Sequence, residues 1–89
     1  MITKQEIINA NKKLRCNLNS ILEHPLVRDI SDERPNDGIW IYLQDGWNWD
    51  GCNSIHEDTI SECIRCLKNV YYDSETLDYA NDTEYKLSE

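Results

Sequence analysis

The sequence predicts an α+β fold in which a long N-terminal helix and a second helix pack on a small two- or three-stranded antiparallel sheet. Three observations carry that expectation. Apolar residues recur at helical spacing from Ile7 to Leu22, β-branched and aromatic residues alternate through IWIYLQ at residues 39–44, and a second capped amphipathic segment begins at Thr59. The 89 residues suffice for one domain over 1–89, near the lower limit for a single core without staples. An apolar share of 39% and the absence of Phe, its place taken by Trp and Tyr with their polar ends, imply a thin core.

The first helix starts at Thr3-Lys4-Gln5-Glu6, where a Thr hydroxyl and a Glu carboxylate have the spacing to satisfy each other's exposed amides, with Ile2 and Ile7 placed to close a staple. Ile7, Ala10, Leu14, Leu18, Ile21 and Leu22 then fall within about 120° of arc at ~100° per residue. Cys16 lies on the opposite side of that helix with Lys12 and Lys13. Pro25 disfavours helical geometry at His24 and ends the helix near residues 22–24.

Residues 25–38 hold both prolines and Asn36-Asp37-Gly38, which marks a connection with a short edge strand at Leu26 to Ile30. The alternating run at 39–44 is a strand. Asp45-Gly46 suits a two-residue hairpin turn that pairs Gln44 with Trp47 and Tyr42 with Trp49. In that register Trp40, Tyr42, Trp47 and Trp49 share one face and Ile39, Ile41 and Leu43 take the other. A longer loop through residues 45–52 is equally compatible. Asp50-Gly51 then turns the chain into a strand around Cys52 to His56, completing a meander.

The second helix opens at Thr59-Ile60-Ser61-Glu62, with Asp58 as a competing cap, and runs from about 59 to 70. Ile60, Cys63, Ile64, Leu67 and Val70 form its apolar stripe, and Arg65 and Lys68 suit its C-terminal half. From Tyr71 the chain has enough Leu and Tyr to dock a short element, while the segment 73–89 is acidic enough to be partly mobile.

Acidic residues outnumber basic ones 17 to 9, for a formal charge of −8. The middle of the chain, 29–62, holds nine acids and one Arg, whereas residues 1–28 hold five Lys or Arg against two Glu. Such a charge repels nucleic acid and anionic membranes and attracts basic protein surfaces. No apolar run of signal or membrane length opens the sequence, so a cytoplasmic location and reduced cysteines are expected.

Four residues, Cys52, His56, Cys63 and Cys66, have donor types that suit tetrahedral zinc, and a small Cys/His zinc module is one alternative. Against it, Cys63 falls in the helix stripe, where a small buried residue is wanted. A Cys52–His56 nucleophile pair lacks an elbow, a phosphate loop and a scaffold deep enough for a substrate, so neither catalysis nor a cofactor is expected. The remaining constellation is aromatic and acidic. Asp45 and Asp50 flank Trp47 and Trp49, with Glu57, Asp58 and Glu62 just after, a set suited to anchoring and steering a basic protein surface. Trp40 reads as core; Trp47 and Trp49 divide between core and docking surface. If the helices cover the aliphatic face, the ring face needs a cover of its own: the acidic tail, a second copy of the chain in a homodimer, or a partner.

The pattern W-x-Y-L-x-D-G-W from Trp40 to Trp47, followed by His56-Glu57-Asp58-Thr59 and a short amphipathic helix, resembles small proteins of bacteriophages and prophages. That class includes inhibitors of bacterial defence, anti-CRISPR proteins among them. The resemblance covers residues 38–70 and implies a short, acidic, non-enzymatic inhibitor that occupies the basic nucleic-acid channel of a CRISPR-Cas or similar protein. A homo-oligomeric adaptor held through the aromatic sheet face is the competing expectation.

Overall fold

The structure, a computed structural model, describes residues 2–72. Helix α1 (Lys4–Lys13) is followed by a short α2 (Leu18–Leu22), strands β1 (Val27–Asp32), β2 (Ile39–Leu43), β3 (Trp47–Asn48) and β4 (Ser54–Glu57), helix α3 (Ile60–Leu67) and strand β5 (Tyr71–Tyr72). The fold is α+β, as the periodicities imply. The segment from Asp73 lies outside the described residues.

The single long N-terminal helix is not what forms. Thr3 caps α1 with the reciprocal pair the spacing implies, Glu6 N–H donating to Thr3 Oγ1 at 3.1 Å and Thr3 N–H to Glu6 Oε1 at 3.3 Å. The helix then stops after 10 residues, with Leu14 extended at ψ 137°. Local side-chain bonds supply the alternative: Asn17 Oδ1 accepts from Ser20 N–H at 2.8 Å, and Ser20 Oγ accepts from Arg15 N–H at 2.9 Å while donating to Arg15 O at 2.8 Å. Ser and Asn hydrogen-bond the backbone readily enough to compete with a helix ladder, and here they restart it at a new cap. The apolar spacing survives the break, since Ile7 and Ile21 are buried and Leu14 and Leu18 pack against the same core. Cys16 is exposed, but in this link and not on a helix face.

Strand β2 is the centre of a three-stranded antiparallel sheet of order β1-β2-β4. Its residues alternate between full burial at Ile39, Ile41 and Leu43 and half-burial at Trp40 and Tyr42, the signature of a sheet with one covered face. Beneath that face α3 lies against β4 and β2, and α2 against β1. Ile55 of β4, Cys63, Cys66 and Leu67 of α3, and Val70 close the layer. Burying an aliphatic side chain of this kind contributes about 1.5–3 kcal/mol. Thr59 caps α3, accepting from Glu62 N–H at 3.2 Å. Among the described residues no helix is long and apolar enough to cross a membrane.

The expected meander fails at the first turn. Trp47 N–H does donate to Gln44 O at 3.0 Å, with Gly46 at φ +88°. Only Gly46 takes the left-handed region, however, and the chain leaves the sheet instead of folding back along β2. Asn53 holds it there, its Nδ2 donating to Gln44 O at 3.0 Å and to Trp47 O at 2.6 Å. Strand β3 pairs with β5, Trp47 opposite Tyr72 and Asn48 opposite Tyr71. The two-residue hairpin forms at the second Asp-Gly, where Asp50 (φ 50°) and Gly51 (φ 82°) both adopt left-handed angles and Trp49 exchanges backbone bonds of 2.7 and 2.9 Å with Cys52. β4 then takes the place beside β2 that β3 was expected to fill, with Tyr42 facing Ser54 and Trp40 facing His56.

Candidate functional site

The four rings do not share one face. Trp47 is only 4% exposed and meets Tyr72 edge-on with centroids 5.3 Å apart, so it is a core residue. Trp49 is half-buried against the same core. Trp40, expected inside, stands with Tyr42 on the opposite, solvent side of the sheet. The expected gathering of the tryptophans on a single face is thereby corrected, and the physical reason is the turn at Gly46 that carries Trp47 under the sheet.

The acids expected around those rings are divided between the two ends of β2. Asp45 and Asp50 are exposed on the turns beyond its C-terminal end. Glu57 lies opposite Ile39 at its other end, followed by Asp58 and by Glu62 on α3. Of these five, Asp58 reaches the neighbourhood of the half-buried Trp40, since its Oδ1 and the Nε2 of His56, the residue stacked on that indole, would each lie 3.1 Å from a Cβ on Gly38. At the Ile39 end the acids are joined by residues that the reading of the sequence passed over. The Arg34 guanidinium grips Asp32 at 2.8 Å and holds its carboxyl down at about 2, and Asp37 accepts the Trp40 indole N–H on Oδ2 at 3.0 Å.

The exposed face has a defined construction. Residues paired directly across antiparallel strands point the same way, so Asp29 and Ser31 of β1, Trp40 and Tyr42 of β2, and Ser54 and His56 of β4 all project to solvent. His56 stacks flat on Trp40, with centroids 3.8 Å apart and planes within 9°. Its Nε2 also bonds the carbonyl oxygen of Asp37, so that nitrogen carries the proton. Trp40 and Tyr42 are parallel within 9° at 6.5 Å, and the Arg28 guanidinium reaches over the Tyr42 ring at 5.7 Å. Gly38 makes this edge possible. At φ +73°, a Cβ there would come 2.9 Å from Glu57 O and 3.1 Å from both Asp58 Oδ1 and His56 Nε2, so a side chain would strain the backbone and crowd the Glu57 carbonyl and the imidazole.

The zinc quartet is not assembled. Cys63 and Cys66 are buried beneath the sheet, His56 faces solvent on its other side, and Cys52 is exposed on the hairpin. Among the described residues no group of three His, Cys, Asp or Glu side chains is arranged to hold a metal. Burial, followed by the nearby Glu57 carboxylate, pushes the Cys63 thiol up to about 11. Burial also raises Cys66 to about 12, helped by its hydrogen bond to Glu57 Oε2 at 3.4 Å. Both are protonated at neutral pH and are neither nucleophiles nor ready ligands.

His24 occupies a different environment. It is 2% exposed, accepts from Leu26 N–H on Nδ1 at 3.2 Å and therefore donates from Nε2 to Asn11 Oδ1 at 2.8 Å. It ties α1 to the start of β1, and burial lowers its pKa from 6.5 to about 4. A polar groove of about 430 Å³ beside it is lined by residues of α1 and α2 and by Pro25, but both imidazole nitrogens are already engaged. No family model matches the chain, and no similar curated protein or solved structure was found.

Proposed function

We propose that this chain is a stoichiometric binding protein that docks a basic protein surface through the solvent face of its three-stranded sheet. The observation that carries the reading is the contacting set Tyr42, Trp40 and His56, held upright on a rigid sheet and bordered by Asp29, Glu33 and Asp37, while aliphatic residues close the other face. Rigid aromatics supply anchoring area at little entropic cost, and a rim of carboxylates selects a cationic partner. A second copy of the chain would bring the same carboxylates against themselves, which argues for a partner of opposite charge over a homodimer. The net charge of −8 and the resemblance to small phage inhibitors of bacterial defence give the partner its class: a protein whose basic surface ordinarily holds nucleic acid.

The test is affinity capture from a bacterial lysate across a salt series, with the wild-type chain beside a Trp40→Thr/Tyr42→Thr variant that preserves strand preference. The reading expects a captured protein that salt or added nucleic acid displaces, and that the variant binds about tenfold or more less tightly. Capture that ignores ionic strength, or that the variant retains in full, overturns it.

A further inference from the structure

The ring geometry fixes which sides of the aromatic platform are open. Trp40 and His56 are cross-strand partners whose parallel planes lie 3.8 Å apart at the centroids, so they meet face to face. The normal to the indole therefore runs across the strands, toward β4 on one side and toward β1 on the other. Tyr42 is parallel to Trp40 but displaced 6.5 Å along the same strand. With the normals running across the strands, that displacement lies mainly within the ring planes. The two rings form a wall along β2, not a sandwich.

His56 covers the β4 side of this wall at Trp40, and Arg28, at the irregularity in β1, reaches it at Tyr42. On the β1 side of Trp40 the register partner is Ser31, too short to cross an indole. Its hydroxyl donates to Glu33 Oε2, which brings that carboxylate to the same place. Asp29, two residues back on the same face, accepts the Ile30 N–H at 2.8 Å. Among the described residues neither Asp29 nor Glu33 forms an ion pair.

We infer that this slot, floored by Ser31 and walled by Trp40, takes an arginine side chain of the partner. The guanidinium lies flat on the open indole face and directs its edge N–H groups to Glu33 and Asp29. Arginine fits where lysine does not, because a planar cation can stack and donate in its own plane at once, whereas an ammonium is a compact, strongly hydrated charge. The fold already brings one guanidinium over this wall, Arg28 at 5.7 Å from the Tyr42 ring centroid. This assignment rests on the docking reading and names its anchor.

The experiment is a nuclear magnetic resonance titration of the full chain with a flexible Gly/Ser peptide carrying several arginines, and with its lysine counterpart of equal charge. The expected result is saturable movement of the Trp40 indole N–H and of the Ser31 amide, with arginine binding several-fold tighter than lysine and Asp29→Asn/Glu33→Gln weakening it about tenfold. Ser31→Arg provides an independent check. It places a guanidinium of the chain's own over Trp40 and should abolish the peptide response in a protein whose other amide signals are unchanged. Equal binding of both peptides, movement centred on Asp45 and Asp50 or on Glu57, Asp58 and Glu62, or an unaltered response in Ser31→Arg overturns the slot. If the captured partner still depends on Trp40 and Tyr42 while ignoring Asp29, Glu33 and Ser31→Arg, the slot is wrong and the docking face stands. If neither matters, both fall.

Discussion

Two regions of this small protein use the same residue types for opposite purposes. Beneath the sheet, Trp47, Cys63 and Cys66 are sealed among aliphatic side chains, and His24 is buried where α1 meets the start of β1; Trp40, His56, Cys16 and Cys52 meet solvent. The chemistry of each residue follows its side. His24 is held neutral by burial with both nitrogens engaged, whereas His56 lies against an indole beside a carboxylate at 3.7 Å. Residue type alone assigns none of these roles; the backbone path does.

The sharpest way to break that contrast is to truncate the two tryptophans. Trp47→Ala removes a core indole and should lower unfolding free energy by about 3–5 kcal/mol. Trp40→Ala should cost about 1 kcal/mol, the worth of its ring contacts. Urea unfolding of both variants measures the difference, and similar losses would mean that the two sides of the sheet are not distinct.

The histidines come next. Above pH 6.5 His24 is neutral in the folded and the unfolded chain alike. As pH falls from 6.5 toward about 4, the unfolded chain takes up a proton that the folded one refuses. Stability is therefore complete above that window and is lost through it, by about 3 kcal/mol at the lower end. Unfolding midpoints of wild type and His24→Gln at neutral pH and near pH 4.5 isolate this contribution from that of the carboxylates. The variant should show the shallower loss, and parallel profiles would place His24 outside the closed region.

The smallest effect is kinetic. Alkylation of the native protein should modify Cys16 and Cys52 rapidly and leave Cys63 and Cys66 protected until the chain opens, as their burial and raised thiol values of about 11 and 12 require. Mass spectrometry of a time course separates the two classes.

Much of the framework was legible in the sequence because it depends on neighbours in the chain. The Thr3 and Thr59 caps, the edge strand, the alternation in β2 and the stripe of α3 all follow from spacings of two to four residues. What was not legible depends on competition or on distance. The helix stripe runs unbroken through Leu14, Leu18 and Ile21, so periodicity gives no sign that Asn17 and Ser20 interrupt it. The two Asp-Gly pairs look alike in the sequence, yet Asn53 and the distant strand Tyr71–Tyr72 hold the chain near one of them out of the main sheet and leave the other to form the hairpin. The exposed platform was within closer reach. Once Ile39, Ile41 and Leu43 are assigned to the helices, alternation alone turns Trp40 and Tyr42 outward. The partners supplied by β1, Asp29 and Ser31, required the register across the sheet, which no local pattern contains.

Because inward and outward residues interleave along β2 without sharing neighbours, the two sets can vary independently. The solvent side can be rewritten position by position while the aliphatic side keeps the same shape. Such a scaffold can change its target without having to relearn how to fold.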